Sequence, residues 1–212
     1  MRKAIGLLAV VLVASACTGV IGSGTAKQEM RQVGTFSRLA VSSGLEVDYT
    51  VGEPTLVIVS GDDNIVPCIE TVVEGDELKI GTEDHTSLMP REPLRVRVQG
   101  PALASLAASG GSQVTVATLE VQDFTLTASG GSEVTLTGQC ANLLADASGG
   151  SELYLQAFSA QTAHLVASGG SEVKAKVTVS AQVDASGGSD ITLAGGASIR
   201  KTTSGGSEIH VE

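Results

Sequence analysis

The tetrapeptide Ser-Gly-Gly-Ser occurs six times, beginning at Ser109, Ser129, Ser148, Ser168, Ser186 and Ser204, at spacings of 20, 19, 20, 18 and 18 residues. A unit of that length cannot bury an apolar face alone. Recurring at a nearly constant period, it has to stack on its own copies, which makes the chain a solenoid. The glycine pairs Gly110 and Gly111, Gly130 and Gly131, Gly149 and Gly150, Gly169 and Gly170, Gly187 and Gly188, and Gly205 and Gly206 mark corners. A corner needs backbone angles, often with φ > 0, that a residue with a Cβ resists. The flanking serines can bond local backbone groups or one another along the stack.

Aligned on the first serine, the units alternate apolar and polar residues on both sides of the corner. One residue before it stand Ala108, Ala128, Ala147, Ala167, Ala185 and Thr203; three before, Leu106, Leu126, Ala145, Leu165, Val183 and Lys201. Five before stand Ala104, Phe124, Leu143, Ala163, Ala181 and Ile199. After the corner, Val114, Val134, Leu153, Val173, Ile191 and Ile209 form one inward column, and Val116, Leu136, Leu155, Ala175, Leu193 and Val211 the next. Period-2 alternation describes strands with one buried face. Each unit therefore reads as strand, corner, strand and a looser return, such as 118–123 or 138–142.

The expected fold is all-β: a parallel β-helix over residues 102–212, its six coils spanning roughly 24 Å at the usual strand spacing. Spacings that slip by one or two residues suit a right-handed helix, whose returns accept insertions, better than a left-handed hexapeptide helix. Residues 31–101 form an irregular β-rich region that supplies the first coils and caps that end. Here Phe36, Leu39, Val41, Leu45, Val47 and Val51 alternate, and Thr55–Ser60, Asp76–Ile80 and Leu94–Val98 read as strands. Residues 65–73 fit a short helix or a strand, and Ser42-Ser43-Gly44 reads as a decayed corner.

The first residues carry a different message. Met1-Arg2-Lys3 precedes an apolar run from Ala4 to Ala14, then Ser15-Ala16-Cys17. A basic start, a short apolar core and small residues describe an export signal over residues 1–16, too short to span a membrane. Ending on cysteine, it resembles the lipobox of bacterial lipoproteins, with Ala14 where leucine is usual. That resemblance implies acylation of Cys17, membrane attachment through the lipid and, with Thr18 next, sorting to the outer membrane. Plain export with cleavage near Ala16 is the alternative. Residues 17–30 read as a flexible tether.

Loss of residues 1–16 removes Arg2 and Lys3, leaving 11 Lys+Arg against 23 Asp+Glu and a formal net charge of −12. So acidic a surface repels nucleic acid. Cys68 lies before the repeats and Cys140 within them, and both read as unpaired, buried small residues.

Catalytic chemistry finds no foothold. His85, His164 and His210 share no spacing with cysteines or carboxylates that suggests a metal site, and no cofactor motif is present. Asp146 and Asp184 sit outward, two coils and nearly 10 Å apart by strand spacing, with Val166 between them. A carbohydrate-active β-helix, lyase or hydrolase, is the enzymatic alternative, and it would need such carboxylates paired in one groove. The repeated outward charge is the residue after each corner: Gln113, then Glu133, Glu152, Glu172, Asp190 and Glu208. One acid per coil either offers a ladder to divalent cations or simply solvates a flat sheet and discourages edge pairing. With no Trp and two Tyr, Tyr154 is the best exposed aromatic anchor for a protein or glycan ligand. The C-terminal coil edge offers a surface for self-association.

A lipobox, then Val33-Gly34-Thr35-Phe36-Ser37-Arg38-Leu39, Gly61-Asp62-Asp63-Asn64-Ile65, Gly75-Asp76-Glu77-Leu78-Lys79-Ile80 and serial Ser-Gly-Gly-Ser units follow in that order. This ordered set resembles the bacterial family called putative auto-transporter adhesin, head GIN domain, over residues 31–212. The resemblance implies a β-helical fold in a secreted or envelope-anchored, non-enzymatic protein, an adhesin-like or structural rod. It brings no catalytic residues.

Overall fold

The computed structural model describes residues 19–82 and 87–212; residues 1–16, read above as an export signal, Cys17 and His85 lie outside them. Among the described residues, seventeen strands and one short 3-10 turn follow in order. They are β1 (Val20–Ile21), β2 (Ala26–Arg31), β3 (Arg38–Val41), β4 (Glu46–Val51) and β5 (Leu56–Asp62), then the turn Val66–Cys68. Next come β6 (Ile69–Glu74), β7 (Glu77–Thr82), β8 (Leu88–Met89), β9 (Arg95–Gly100) and β10 (Ser105–Ala108). The repeats supply β11 (Gln113–Ala128), β12 (Glu133–Ala147), β13 (Glu152–Ala167), β14 (Glu172–Ala185), β15 (Asp190–Ala194), β16 (Ser198–Thr203) and β17 (Glu208–Val211). The fold is an all-β solenoid with parallel coils, as the repeat demands.

Register carries the argument. Leading into the corners, Leu39, Leu106, Leu126, Ala145, Leu165, Val183 and Lys201 stand one above another. Leaving them, Val96, Val47, Val114, Val134, Leu153, Val173, Ile191 and Ile209 do the same. The two columns face one dry interior, in which the aliphatic residues at the inward positions of the central coils are buried. Phe124 and Phe158 meet edge to face in it, centroids 5.8 Å apart. Four expected inward positions depart at the ends of the stack, Thr203 of the last corner being one of them. Ala104 is exposed while its neighbour Leu103 is fully buried, and Lys201 and Val211 of the last coil are exposed.

Unequal spacings are absorbed in the returns. The ladder between β11 and β12 slips between Val116 and Leu119, and that between β13 and β14 slips after Leu155 and after Ala160. Such bulges let coils of different length keep both faces in register. Gly138, at φ +127, passes so close under the preceding return that a Cβ on it would overlap the Leu119 carbonyl oxygen at 2.0 Å.

The decayed corner is real. Ser43 and Gly44 both adopt φ of 68, β3 and β4 pair with the coil that follows, and Gly110 sits directly over Ser43. The N-terminal end is closed by strands of opposite sense: β6 on β7, and β2 on β5, which in turn lies antiparallel to β9. Residues 65–73 turn out to be both proposed elements, the 3-10 turn with Pro67 inside it and then β6.

The tether reading is corrected. Residues 20–21 and 26–31 are strands, and the segment between them is tied down by a hub at the end of β5. Asp62 is fully buried; its carboxylate accepts the Gly24 N–H at 2.6 Å, the Arg91 N–H at 2.9 Å and the Glu92 N–H at 3.1 Å. Burial alone would raise its pKa, but donation from the Glu92, Gly24 and Arg91 amides outweighs it and holds the carboxyl below its usual range. Beside it, Asn64 Nδ2 donates to Ile21 O at 2.8 Å and Asn64 Oδ1 accepts from Ser23 N at 2.9 Å. Cys140 is a free buried thiol, as expected. Cys68 is also buried but disulfide-bonded, so it is not the unpaired residue foreseen, and the two do not pair with each other.

Candidate binding surface

The corners fix where every outward side chain lands. In each Ser-Gly-Gly-Ser unit both glycines have positive φ, and the fourth-position serine turns inward. Ser112, Ser132, Ser151, Ser171 and Ser189 are buried, and each Oγ donates to the carbonyl of the first serine of its own corner at 2.6–2.7 Å. Of the two roles open to these hydroxyls, the local one is used. Among the described residues no buried side-chain nitrogen or oxygen is left without a hydrogen-bond partner.

One residue further on, the side chains emerge. Gln113, Glu133, Glu152, Glu172, Asp190 and Glu208 occupy successive in-register positions. The column also extends backward to Glu46, opposite Gln113, and to Arg95, opposite Glu46. Sequence reasoning missed these two, although Glu46 follows the decayed corner at the same offset as Gln113 follows its own. The next outward column, two residues on, runs Arg97, Asp48, Thr115, Thr135, Tyr154, Lys174, Thr192 and His210.

Like charges at strand spacing repel, and basic side chains from both columns answer part of that repulsion. Arg95 reaches Glu46 at 2.5 Å, Lys174 reaches Glu172 at 2.5 Å, and His210 lies 3.1 Å from Glu208. Exposed pairs of this kind contribute about 0–1 kcal/mol each, so they blunt the repulsion without cancelling it. Tyr154 is the centre of the face. Its hydroxyl donates to Glu152 at 2.5 Å, and Lys174 Nζ stands 5.2 Å from its ring centroid. That hydrogen bond, with burial and the charges of Glu152, Glu172 and Glu133 behind it, pushes the phenol up to about 12. The result is a flat, acidic strip with one aromatic ring held in place.

The ladder does not gather into a cation site: among the described residues, no three His, Cys, Asp or Glu side chains group in a way that could hold a metal ion. Nor do the outward aspartates pair. Thr127, Asp146, Val166, Asp184 and Thr202 follow one another in a column, which leaves the two carboxylates on either side of Val166. Asp184 bonds His164 Nε2 at 3.1 Å and Gln182 at 3.2 Å. Bonds from Gln182, His164 and Thr202 hold its carboxyl below the usual range, so at neutral pH it is ionised and unfit as a general acid.

Over residues 35–212 the sequence matches the family described as putative auto-transporter adhesin, head GIN domain. No curated protein matches it. Solved structures share the fold. A putative adhesin from Bacteroides fragilis is 16% identical with a TM-score of 0.73, over 91% of this chain and 99% of that one. A putative adhesin from Parabacteroides merdae is 12% identical with a TM-score of 0.58, over 92% and 99%. A protein from Parabacteroides distasonis described as a putative lipid binding protein is 16% identical with a TM-score of 0.55, over 92% and 100%.

Proposed function

Since the chain belongs to the putative auto-transporter adhesin, head GIN domain family, we propose that it is a non-enzymatic binding rod exported to the bacterial cell envelope. The observation that carries this reading is the outward face beside the corners. Glu46, Gln113, Glu133, Glu152, Glu172, Asp190 and Glu208 repeat one chemistry in register along the solenoid. Tyr154 and Lys174 form a fixed aromatic-cation pair at its middle. A rigid strip of identical weak sites suits an extended, repetitive ligand, since several modest contacts on one stiff body add in free energy. The ligand class is a basic or hydroxyl-rich polymer, a matrix protein segment or a glycan. Nucleic acid is disfavoured by the charge.

The test is an immobilised screen of glycans and matrix proteins, read for the wild-type protein and for Tyr154→Ala combined with Glu152→Gln and Glu172→Gln. Binding that falls about ten-fold or more in the variant supports the strip, because an aromatic anchor that a ligand covers, with its charged neighbours, carries at least that much. Binding unaffected by these changes, or none to any probe, overturns it.

A further inference from the structure

We propose that Cys17 closes a disulfide with Cys68, a clasp that locks the start of the chain onto the N-terminal cap once the protein reaches an oxidising compartment. The chain has three cysteines. Cys68 is disulfide-bonded and Cys140 is a free, buried thiol, so within the chain Cys17 alone is left to pair with Cys68. The described residues put it within reach. Cys68 Sγ lies 3.7 Å from Asn64 O, and the side chain of the same Asn64 holds Ile21 O and Ser23 N. The four chain steps from Ile21 to Cys17 span at most about 14 Å, and contacts through one asparagine keep the Cys68 sulfur inside that radius of Ile21.

The clasp supplies what the ribbon's own contacts lack. Strand β1 has two residues and, among the described residues, pairs with β8 alone, which also has two. Burial adds little: Ile21 is 59% exposed and Met89, opposite it in register, 60%. So short a ribbon does not support itself in water. The receiving sulfur, by contrast, is firmly placed. Cys68 N donates to Ile65 O at 2.8 Å and Ile65 N to Asp62 O at 3.0 Å, while the Arg31 guanidinium donates to Val66 O at 2.7 Å and to Ile69 O. On closure the two thiols lose two protons and two electrons by exchange with a disulfide, of an oxidant protein or of glutathione, which is reduced to two thiols. Such oxidants act outside the cytoplasm. The clasp therefore closes after export, directly behind residues 1–16, and keeps the Cys17 sulfur from carrying a lipid.

Protein expressed from the full-length sequence in a bacterial host is purified, equilibrated with oxidised and reduced glutathione, alkylated and digested without reductant. The expected map holds a Cys17–Cys68 peptide, with Cys140 alkylated only after unfolding. An acyl chain on Cys17, a free Cys68, a Cys68–Cys140 peptide or a Cys68–Cys68 dimer each overturns the clasp. Equilibration in glutathione tests the bond apart from export, which fractionation of the same cells reads. Thermal midpoints then measure what the bond does. Cys17→Ser should lower the midpoint by about 5–15 °C, as loss of a native disulfide does in a chain of this size. In a Cys68→Ala background the same change should leave the midpoint where it is. An equal fall in both backgrounds overturns the clasp, since a role of Cys17 apart from the bond would be felt in each.

Discussion

Gly187 lies so close over Gly169 that a Cβ on it would meet the Gly169 amide nitrogen at 2.9 Å, whereas a Cβ on Gly188, its neighbour in the same corner, would have nothing within 4 Å. Both have positive φ, +67 and +82, so both resist a side chain by conformation, and only the first resists it by contact. Gly188→Ala should cost about 1–2 kcal/mol, the left-handed penalty alone. Gly187→Ala should cost about 3 kcal/mol or more, because the stacked backbones must also separate. Urea denaturation of the pair measures the difference; equal losses would mean that corner stacking is not tight.

The inward serine makes a similar separation between shape and bonding. Ser151 is buried and its Oγ donates to Ser148 O at 2.6 Å. Ser151→Ala keeps the volume nearly constant but leaves a carbonyl without its donor, a loss of about 1–2 kcal/mol. Ser207 makes the same bond at 2.8 Å in the exposed last corner, where water can replace it, so Ser207→Ala should be close to neutral by the same denaturation assay.

The coils were legible because burial forces a period of two on any strand with one dry face, and the corners fixed its phase. Val114, Val134 and Leu153 had to share a column once Ser109, Ser129 and Ser148 were aligned, and they do. Charge on the outward side followed from the same phase, down to Glu46 had the decayed corner been pursued. In the N-terminal cap the strands near 55–60, 76–80 and 94–98 were legible, but β2 and the pairing were not, since these depend on partners distant in sequence. Ala-Lys-Gln-Glu-Met-Arg of β2 has the composition of a solvated linker and becomes a strand only by pairing with β5. Glycine-rich 19–24 is fixed by Asp62 and Asn64, some 40 residues downstream. No local pattern encodes those contacts.

Asp62 gives this hub a pH dependence with a definite sign. Its carboxyl is held below the ordinary aspartate value of 3.8, so the unfolded chain takes up the proton first as acid is added. The stabilisation is therefore complete above 3.8 and lost as the pH falls from there through the depressed folded value. Asp62→Asn, which offers an amide where two oxygens accept three N–H groups, should lower the thermal midpoint at neutral pH. That deficit should shrink below 3.8, where the wild type loses its own advantage. Melting curves between about pH 2 and pH 7 decide it; a deficit independent of pH would assign the hub to shape alone.

The three sulfur atoms make separable predictions. Burial, with Asp123 nearby, pushes the Cys140 thiol up to about 11, so it should resist a disulfide reagent in the native protein and react on unfolding. With Cys68 disulfide-bonded and Cys140 free, Cys17 should incorporate no labelled fatty acid in cells, and a label that Cys17→Ser abolishes would show an anchored protein instead. A sulfur bound as a lipid thioether cannot also form a disulfide. A non-reducing peptide map that joins Cys17 to Cys68 would therefore exclude the thioether and leave export by simple cleavage, with the acidic rod released from the cell or free in the periplasm.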